Sequence, residues 1–547
     1  MKAKYIFSVS ALVLSMGLSS CVGDLDVTPI DPSTSMTSDP DALFNKCYAN
    51  FAVAGNGGAN GDCDIDGLDG GTTGYWRQMF NANELTSDEA ICGWGDQGIS
   101  DFTFNSWGAS HPMLKGYYYR LYFGVTMCNF YLEECGEYDT TMSAEVRFLR
   151  AFHYFQLLDC FGPNIPFLTK MSAENAPRAE GNQVYDFIES ELLEIELMLD
   201  APKAKKSSDA GYGRADRAAA WMLLARLYLN AQVYTGNAQW DKAATYAKKV
   251  IGESGRSLCK TPGSEFKTAD DATRQWSAYH KLFMGDNGET DAANEAILPL
   301  LQDGVKTTSW GTSLFAMAGC FSTDMKLVKD SENNNGTSEN WSGNRCRPNL
   351  IAKFFGGDAT QAPNGSCWDI VDAAKDDRAL FWGKYRNVNC ETTGTFTDGF
   401  SCCKFINYYS TNAAPHHSQF PDADMFIMRM AEAYLTAAEA LTRASGNNIL
   451  SSEALGYINE IRGRANASKK NSFTLEEIAD EWSREYYFEG RRRSDLIRFG
   501  YFGGGTYNWQ WRGGSYNGQS FPATRNIFAI PDDDLSANSN LIQNMGY

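Results

Sequence analysis

The 547-residue chain carries only five histidines, scattered apart from the neighbours His416 and His417. Its fourteen cysteines include no CxxC pair and no cysteine–histidine cluster at zinc spacing. Zinc-centred chemistry is therefore not written in the sequence. Positive charge is also scarce: 48 Lys and Arg against 67 Asp and Glu leave a net charge of −19 and a pI near 4.8. Nucleic acids need a basic stripe, so they are excluded as partners. No apolar run is long enough to cross a bilayer as a helix.

Aromatic residues are present in excess, at 13% with 13 Trp and 27 Tyr, alongside 50 Gly. Many of these rings will be core. In loops rich in Gly and Asn, such an excess also suits flat apolar faces offered to a ligand. A hydrophobic content of 43% is ample for a packed interior.

At the N-terminus, Lys2 and Lys4 precede an apolar run ending at Leu18, the tripartite pattern of a secretory signal over residues 1–20. Leu18-Ser19-Ser20-Cys21 resembles a bacterial lipobox, which makes Cys21 the expected lipidation site. Acyl chains anchor at about 0.8 kcal/mol per buried methylene, and more than one chain is needed for stable attachment. Residues 21–40, with Asp24, Asp26 and a loose proline-bearing stretch, read as a solvated tether. The other thirteen cysteines cannot all pair, and most read as small buried apolar residues.

From residue 41 to 547 the pattern predicts one mainly α domain. Helical periodicity marks 142–160, with Val146, Leu149, Phe152, His153 and Gln156 on one face, and a stop at Gly162-Pro163. Further helices are expected at 183–199, in a hairpin over 214–251, at 426–444 and 451–466, and as one long helix with a charged outer face at 474–500. Small residues mixed with Trp221, Tyr228 and Trp240 in the 214–251 hairpin resemble a tetratricopeptide unit. The helical scaffold thus falls mainly at 112–255 and 420–500. Residues 55–111 and 256–419 lack helical period and read as large irregular inserts, which in compact proteins are usually functional.

Certain motifs carry a family resemblance. "EVRFLRAFHYFQLLDCFGPNIPF" (145–167), "FEGRRRSDLIRFG" (488–500) and "IPDDDLSANSNLIQNMGY" (530–547) resemble the SusD/RagB family of Bacteroidota outer-membrane lipoproteins. "CVGDLDVTPIDP", "FNANELTSDE", "RLYLNAQVYTG", "ILPLLQDGVKT", "FTDGF" and "RMAEAYLTAAEA" resemble a starch-binding member of it, in order; residues 320–395 match least. The resemblance implies tetratricopeptide-like hairpins carrying a glycan site and no catalysis. It also implies capture of starch or malto-oligosaccharides at the cell surface and delivery to a TonB-dependent outer-membrane barrel of the SusC type. The membrane is then met through the lipid alone.

Sugars are held by pyranose faces on aromatic rings and by planar polar side chains on the hydroxyls. By the motifs around them, Trp94, Trp310 and Trp341 resemble the family's starch-binding arc, and Arg77, Asp69 and Gln97 its polar partners. Trp310 stands where the starch binder has tyrosine, and Gln97 where it has asparagine. The plain alternatives are rings that fill loop cores and a structural ion pair at Arg77. Asp422 and Asp424, with Asp286, Asn287 and Glu289, offer hard oxygen ligands that suit a structural calcium ion, or are solvated loop carboxylates. Arg491-Arg492-Arg493 is expected to pair with helix carboxylates such as Glu485 and Glu489, with Glu489 four residues before Arg493. Other readings are a receptor of the same family for a different glycan or a peptide, and a surface glycoside hydrolase working through two carboxylates.

Overall fold

The computed structural model describes residues 38–547. The expected signal peptide, Cys21 and all but the end of the expected tether lie outside the described residues. The chain is mainly helical, as the periodicity predicts. Helix α1 (Pro40–Ala52) opens with Asp39 accepting from the Asp41 and Ala42 N–H groups and with proline in its first turn, where no amide is needed. Two short helices, α2 (Gly70–Thr73) and α3 (Tyr75–Asn83), strand β1 (Ala90–Cys92) and α4 (Ile99–Phe104) follow. The stretch expected to be irregular is thus partly ordered: all nine residues of α3 are buried, which hides its helical period.

Helices α5 (Pro112–Glu134) and α6 (Thr140–Phe161) pack against each other, and α6 against α7 (Gln183–Ile195). The five residues placed on one face of α6 are buried, and so is nearly every other residue of that helix. Phe51 stacks on His153 at 4.4 Å. Close approach is possible because position 124 of α5 is glycine; a Cβ there would run into the His153 ring. Helix α8 (Arg217–Leu229), the short α9 (Ala231–Thr235) and α10 (Trp240–Glu253) complete the first helical half.

The second insert contains β2 (Glu265–Lys267), β3 (Thr273–Gln275), β4 (Ala296–Leu300), α11 (Ser313–Ala318), β5 (Asn344–Cys346), α12 (Pro348–Ala352), α13 (Cys367–Ala374), β6 (Phe381–Trp382) and β7 (Ser401–Cys402). Strands pair antiparallel as β1–β5, β2–β3 and β6–β7, so the first insert is stitched to the second by Ala90↔Cys346 and its neighbours. Residues 426–429, expected to be helical, instead belong to β8 (Met425–Arg429), which pairs with β4; α14 (Met430–Ala444) begins only after it. An apolar run beside a helical period is ambiguous until its partner strand is known. Helix α10 packs on both α8 and α14, and α14 on α15 (Ser452–Arg464).

The long C-terminal helix is two helices, α16 (Leu475–Tyr486) and α17 (Arg492–Arg498), separated by Phe488 and Gly490 at positive φ. The break is stabilised from outside. Arg429 donates to the Glu485 carbonyl, Lys404 to the Tyr487 carbonyl, and Glu84 accepts the Gly490 and Arg491 amides. These partners satisfy groups that a helix end leaves orphaned. Not all the charges of α16 are outward: Glu476 is exposed, but Glu481 and Glu485 are fully buried. Arg378 bridges both, at 2.8 and 3.3 Å, and Arg429 joins Glu485 to Glu295 and Glu489. The arginine triplet does pair with carboxylates, but with others than those expected. Arg491 meets Glu432 and Asp495, Arg492 meets Asp88, and Arg493 lies near Asp159, while Glu489 is taken by Arg429 and Lys404. Helix α18 (Asp532–Ala537) closes the chain.

Candidate glycan-binding site

Two loops and one helix edge bring the three tryptophans together. Trp94 follows β1, Trp341 precedes β5, and Trp310 precedes α11. The β1–β5 pairing draws the first two together: their centroids lie 6.5 Å apart with planes crossed at 63°. Trp341 and Trp310 lie 6.1 Å apart at 36°. Successive faces therefore turn, and the three half-buried rings form a curved surface. Gly343 must be glycine here, since it sits at φ +99° and a Cβ would run into Trp94 Nε1.

Arg77, on buried α3, lies beneath the arc. Its guanidinium carbon is 5.2 Å from the Trp94 centroid and 5.4 Å from that of Phe315, an arrangement of the cation–π kind. It also approaches Asp96 at 3.6 Å. Burial pulls the Arg77 pKa down; the nearby Asp96 and Asp69 carboxylates oppose that. Asp69 is exposed and caps α2, accepting from the Thr72 amide at 3.0 Å and hydroxyl at 2.6 Å. Burial raises its pKa, but the two Thr72 bonds and the Arg77 charge outweigh that and hold it below the ordinary carboxylate range. Gln97 is exposed on the loop that carries Trp94.

Several residues of this surface are not singled out by the sequence. Phe315 packs edge-on under Trp94 at 5.9 Å, and Phe420 against Trp310 at 5.1 Å. Glu339 accepts from Trp341 Nε1 at 2.7 Å and from Gln419 at 2.8 Å, and Asn60 accepts from Trp310 Nε1 at 3.1 Å. The glutamate two residues before Trp341 was a legible signal. Phe420 and Asn60 are remote in sequence and had none.

The acidic stretches also converge. Asn287 accepts the Asp424 amide at 3.0 Å and donates to its carbonyl at 2.8 Å. Asp286 takes four bonds from Ser410 and Thr411, Asp422 holds His416 at 2.8 Å, and Asp424 accepts from Tyr212 and Gln302. Glu289 is exposed. Among the described residues no three His, Cys, Asp or Glu side chains stand placed to hold a metal ion together. As arranged, these residues form a hydrogen-bonded cluster rather than a ready calcium cage. Asp424 nevertheless has only neutral donors, and burial pushes it up to about 7.

Two family profiles match this chain: the SusD family over residues 294–547, and one described as starch-binding, associating with the outer membrane, over 76–229. The starch-binding protein SusD of Bacteroides thetaiotaomicron is 40% identical over the full length of both chains. A SusD superfamily protein from Parabacteroides distasonis superposes with a TM-score of 0.62 at 20% identity, covering 93% of this chain and 98% of its own. Surface glycan-binding protein A of B. thetaiotaomicron, solved with laminarihexaose, gives 0.64 at 18%, covering 92% and 98%. The structural likenesses establish the shared fold. The full-length relative and the matching profile carry kinship as well, and by them this chain belongs to the SusD family.

Proposed function

We propose that this chain is a non-catalytic surface receptor for α-glucan, taking starch or malto-oligosaccharides and handing them to a TonB-dependent outer-membrane barrel. The observation that carries the reading is the Trp94–Trp341–Trp310 arc, whose ring planes turn by 63° and 36°. A helical glucan presents a curved apolar ribbon of pyranose faces, which a flat strip of rings would not follow. Arg77, beneath the arc, and the exposed Asp69 carry donors and acceptors suited to vicinal hydroxyls. The starch-binding name of the full-length relative supports the same substrate class.

Asp69 is not suited to act as the general acid of a glycosidase. A general acid needs a raised pKa, and this carboxyl is held low. Association with the outer membrane agrees with the matching profile, and no helix among the described residues is long and apolar enough to cross a membrane. Attachment through lipid on Cys21 completes the reading. Calcium would join the Asp286, Asn287, Glu289, Asp422 and Asp424 cluster only by displacing the His416 and Ser410 bonds.

Affinity electrophoresis through amylopectin, dextran and inulin tests the substrate. Retardation by amylopectin alone is expected. Retardation by inulin or dextran instead would assign the arc to another glycan, and reducing sugar released from amylose would overturn the non-catalytic reading.

A further inference from the structure

Helix α5 carries Tyr118, Tyr119 and Tyr122, which line a groove of about 410 Å³ that shares no residue with the tryptophan arc. Tyr118 and Tyr122 stand about one turn apart with centroids at 4.6 Å, and Tyr119 lies 5.8 Å from Tyr118. Tyr118 is buried, while Tyr119 and Tyr122 are half-buried. Two of the hydroxyls are tied to the protein: Tyr118 donates to Asp534 of α18, and Tyr122 to the Pro166 carbonyl at 2.7 Å. The opposite wall is the segment 166–176, and it is pinned along its length. Tyr154 donates to the Leu168 carbonyl at 2.6 Å, Arg150 to that of Thr169 at 2.8 Å, and Asn538 to that of Ala176 at 2.9 Å. A wall already fixed loses little freedom when a ligand arrives. Between the pins, Lys170 and Glu174 point their charges to the exposed rim. Among the described residues neither side chain has a hydrogen-bond or ion-pair partner, nor has the Tyr119 hydroxyl.

A larger cavity, of about 700 Å³ beside α1, makes the contrast. Its wall is largely aliphatic, and its largest polar side chains are already paired: Tyr48 and Arg214 with buried Glu145, and Tyr212 with Asp424. The α5 groove instead offers flat rings with a cation, an anion and a phenol left over, a set that favours no charged ligand. It suits a neutral polyhydroxylated chain, with pyranose faces on the rings and hydroxyls on the rim groups. Its volume lies within the range of small-molecule sites, about 300–1,000 Å³. We propose that this groove is a second glycan-binding site, taking a short stretch of neutral glucan independently of the tryptophan arc. The choice of α-glucan rests on the reading given above; the groove itself does not. A polymer that reaches both sites gains avidity without any new contact, whereas a trisaccharide fills them separately.

Calorimetric titration of the full-length protein with maltotriose counts the sites, and wild type should take two per chain. Tyr119→Ala removes a rim ring, and Thr126→Trp fills the groove from an exposed position on α5. Each should leave one site. The triple change Trp94→Ala, Trp310→Ala and Trp341→Ala should also leave one, which adding Tyr119→Ala then abolishes. On amylopectin gels Tyr119→Ala alone should weaken binding about tenfold or more, since two linked sites commonly exceed either alone by about 10²–10⁴. A single wild-type site that the tryptophan changes empty would overturn the groove and keep the arc. Two sites that persist in both groove variants would overturn the assignment as well. A single site emptied by Tyr119→Ala, with the tryptophan changes silent, would uphold the groove and overturn the arc instead. Two laminaritriose per chain with no maltotriose would uphold the groove and overturn the α-glucan reading, and no trisaccharide in the groove would overturn the proposal. Loss of a co-purifying barrel in Thr126→Trp, with sugar stoichiometry unchanged, would give the groove to a protein partner and overturn it too. If the triple variant does not fold, the two groove variants decide.

Discussion

Trp310 and Trp341 lie 6.1 Å apart, and each has its ring nitrogen tied to a protein acceptor, Asn60 for the first and Glu339 for the second. With the polar edges satisfied, the faces are what remain for a ligand. That arrangement allows the contribution of each ring to be separated from its role in the fold.

Trp310→Ala should weaken maltoheptaose binding about tenfold or more. Base stacking on an aromatic ring is worth about 1–3 kcal/mol, carried over here to sugars, and about 1.4 kcal/mol is one decade. Trp94→Ala and Trp341→Ala should lose as much affinity. They should also lose more stability, because Trp94 lies against Phe315 and both rings pack on the main core. Calorimetric titration and thermal melts on the three variants check this. Unchanged affinity in all of them would remove the arc from the binding surface.

Arg77→Met keeps the apolar stem and removes the charge beneath Trp94. The expected loss is about 1–2 kcal/mol of sugar binding, the scale of a desolvated cation–π contact with its polar partners. Asp69→Ala removes the cap of α2, and about 1 kcal/mol of stability should go with it. A variant pair with full affinity for cyclodextrin would show that both residues are only structural.

Glu485 stands between Arg464, Arg429 and Arg378. Glu485→Gln leaves these arginines short of a counter-charge, and about 3–5 kcal/mol of unfolding free energy should be lost. Urea melts at neutral pH measure it, and a change under 1 kcal/mol would contradict the network.

The same residue sets an acid limit. Burial raises the Glu485 pKa, but the three arginines outweigh it and hold the group down to about 2. A depressed carboxyl adds stability that is fully present above its unfolded pKa, near 4.3. That stability is lost as pH falls through the folded value. Stability should therefore decline between about pH 4.5 and 2, and the decline should flatten in Glu485→Gln.

Asp424 works in the opposite sense. Raised by burial to about 7, its ionisation burdens the fold above that pH, so melting temperature should rise as pH drops from 8 toward 5.5. His416, raised by its hydrogen bond to Asp422, adds in the same direction, since its contribution is present at low pH and lost as pH rises. Asp424→Asn should remove part of the slope. Millimolar calcium at pH 8 should raise the melting temperature of wild type if the cation joins this cluster, and leave it unchanged if the hydrogen bonds persist.

By itself the sequence determined the mainly α class, the positions of α6, α7, α10 and α15 to within a few residues, the family, and the chemical types of residue at the arc. Periodicity, caps and loop composition are local, so they survive in a one-dimensional reading. Tertiary structure decided what depends on distant partners. Residues 426–429 became a strand because β4 lies beside them. The helix expected over 474–500 broke where Lys404, Arg429 and Glu84 supply substitutes for its hydrogen bonds. The arginine triplet chose Glu432, Asp495 and Asp88 because burial makes ion pairing a matter of three-dimensional proximity. Trp94 and Trp341 were brought together by the pairing of β1 with β5, and no spacing along the chain encodes an angle between rings.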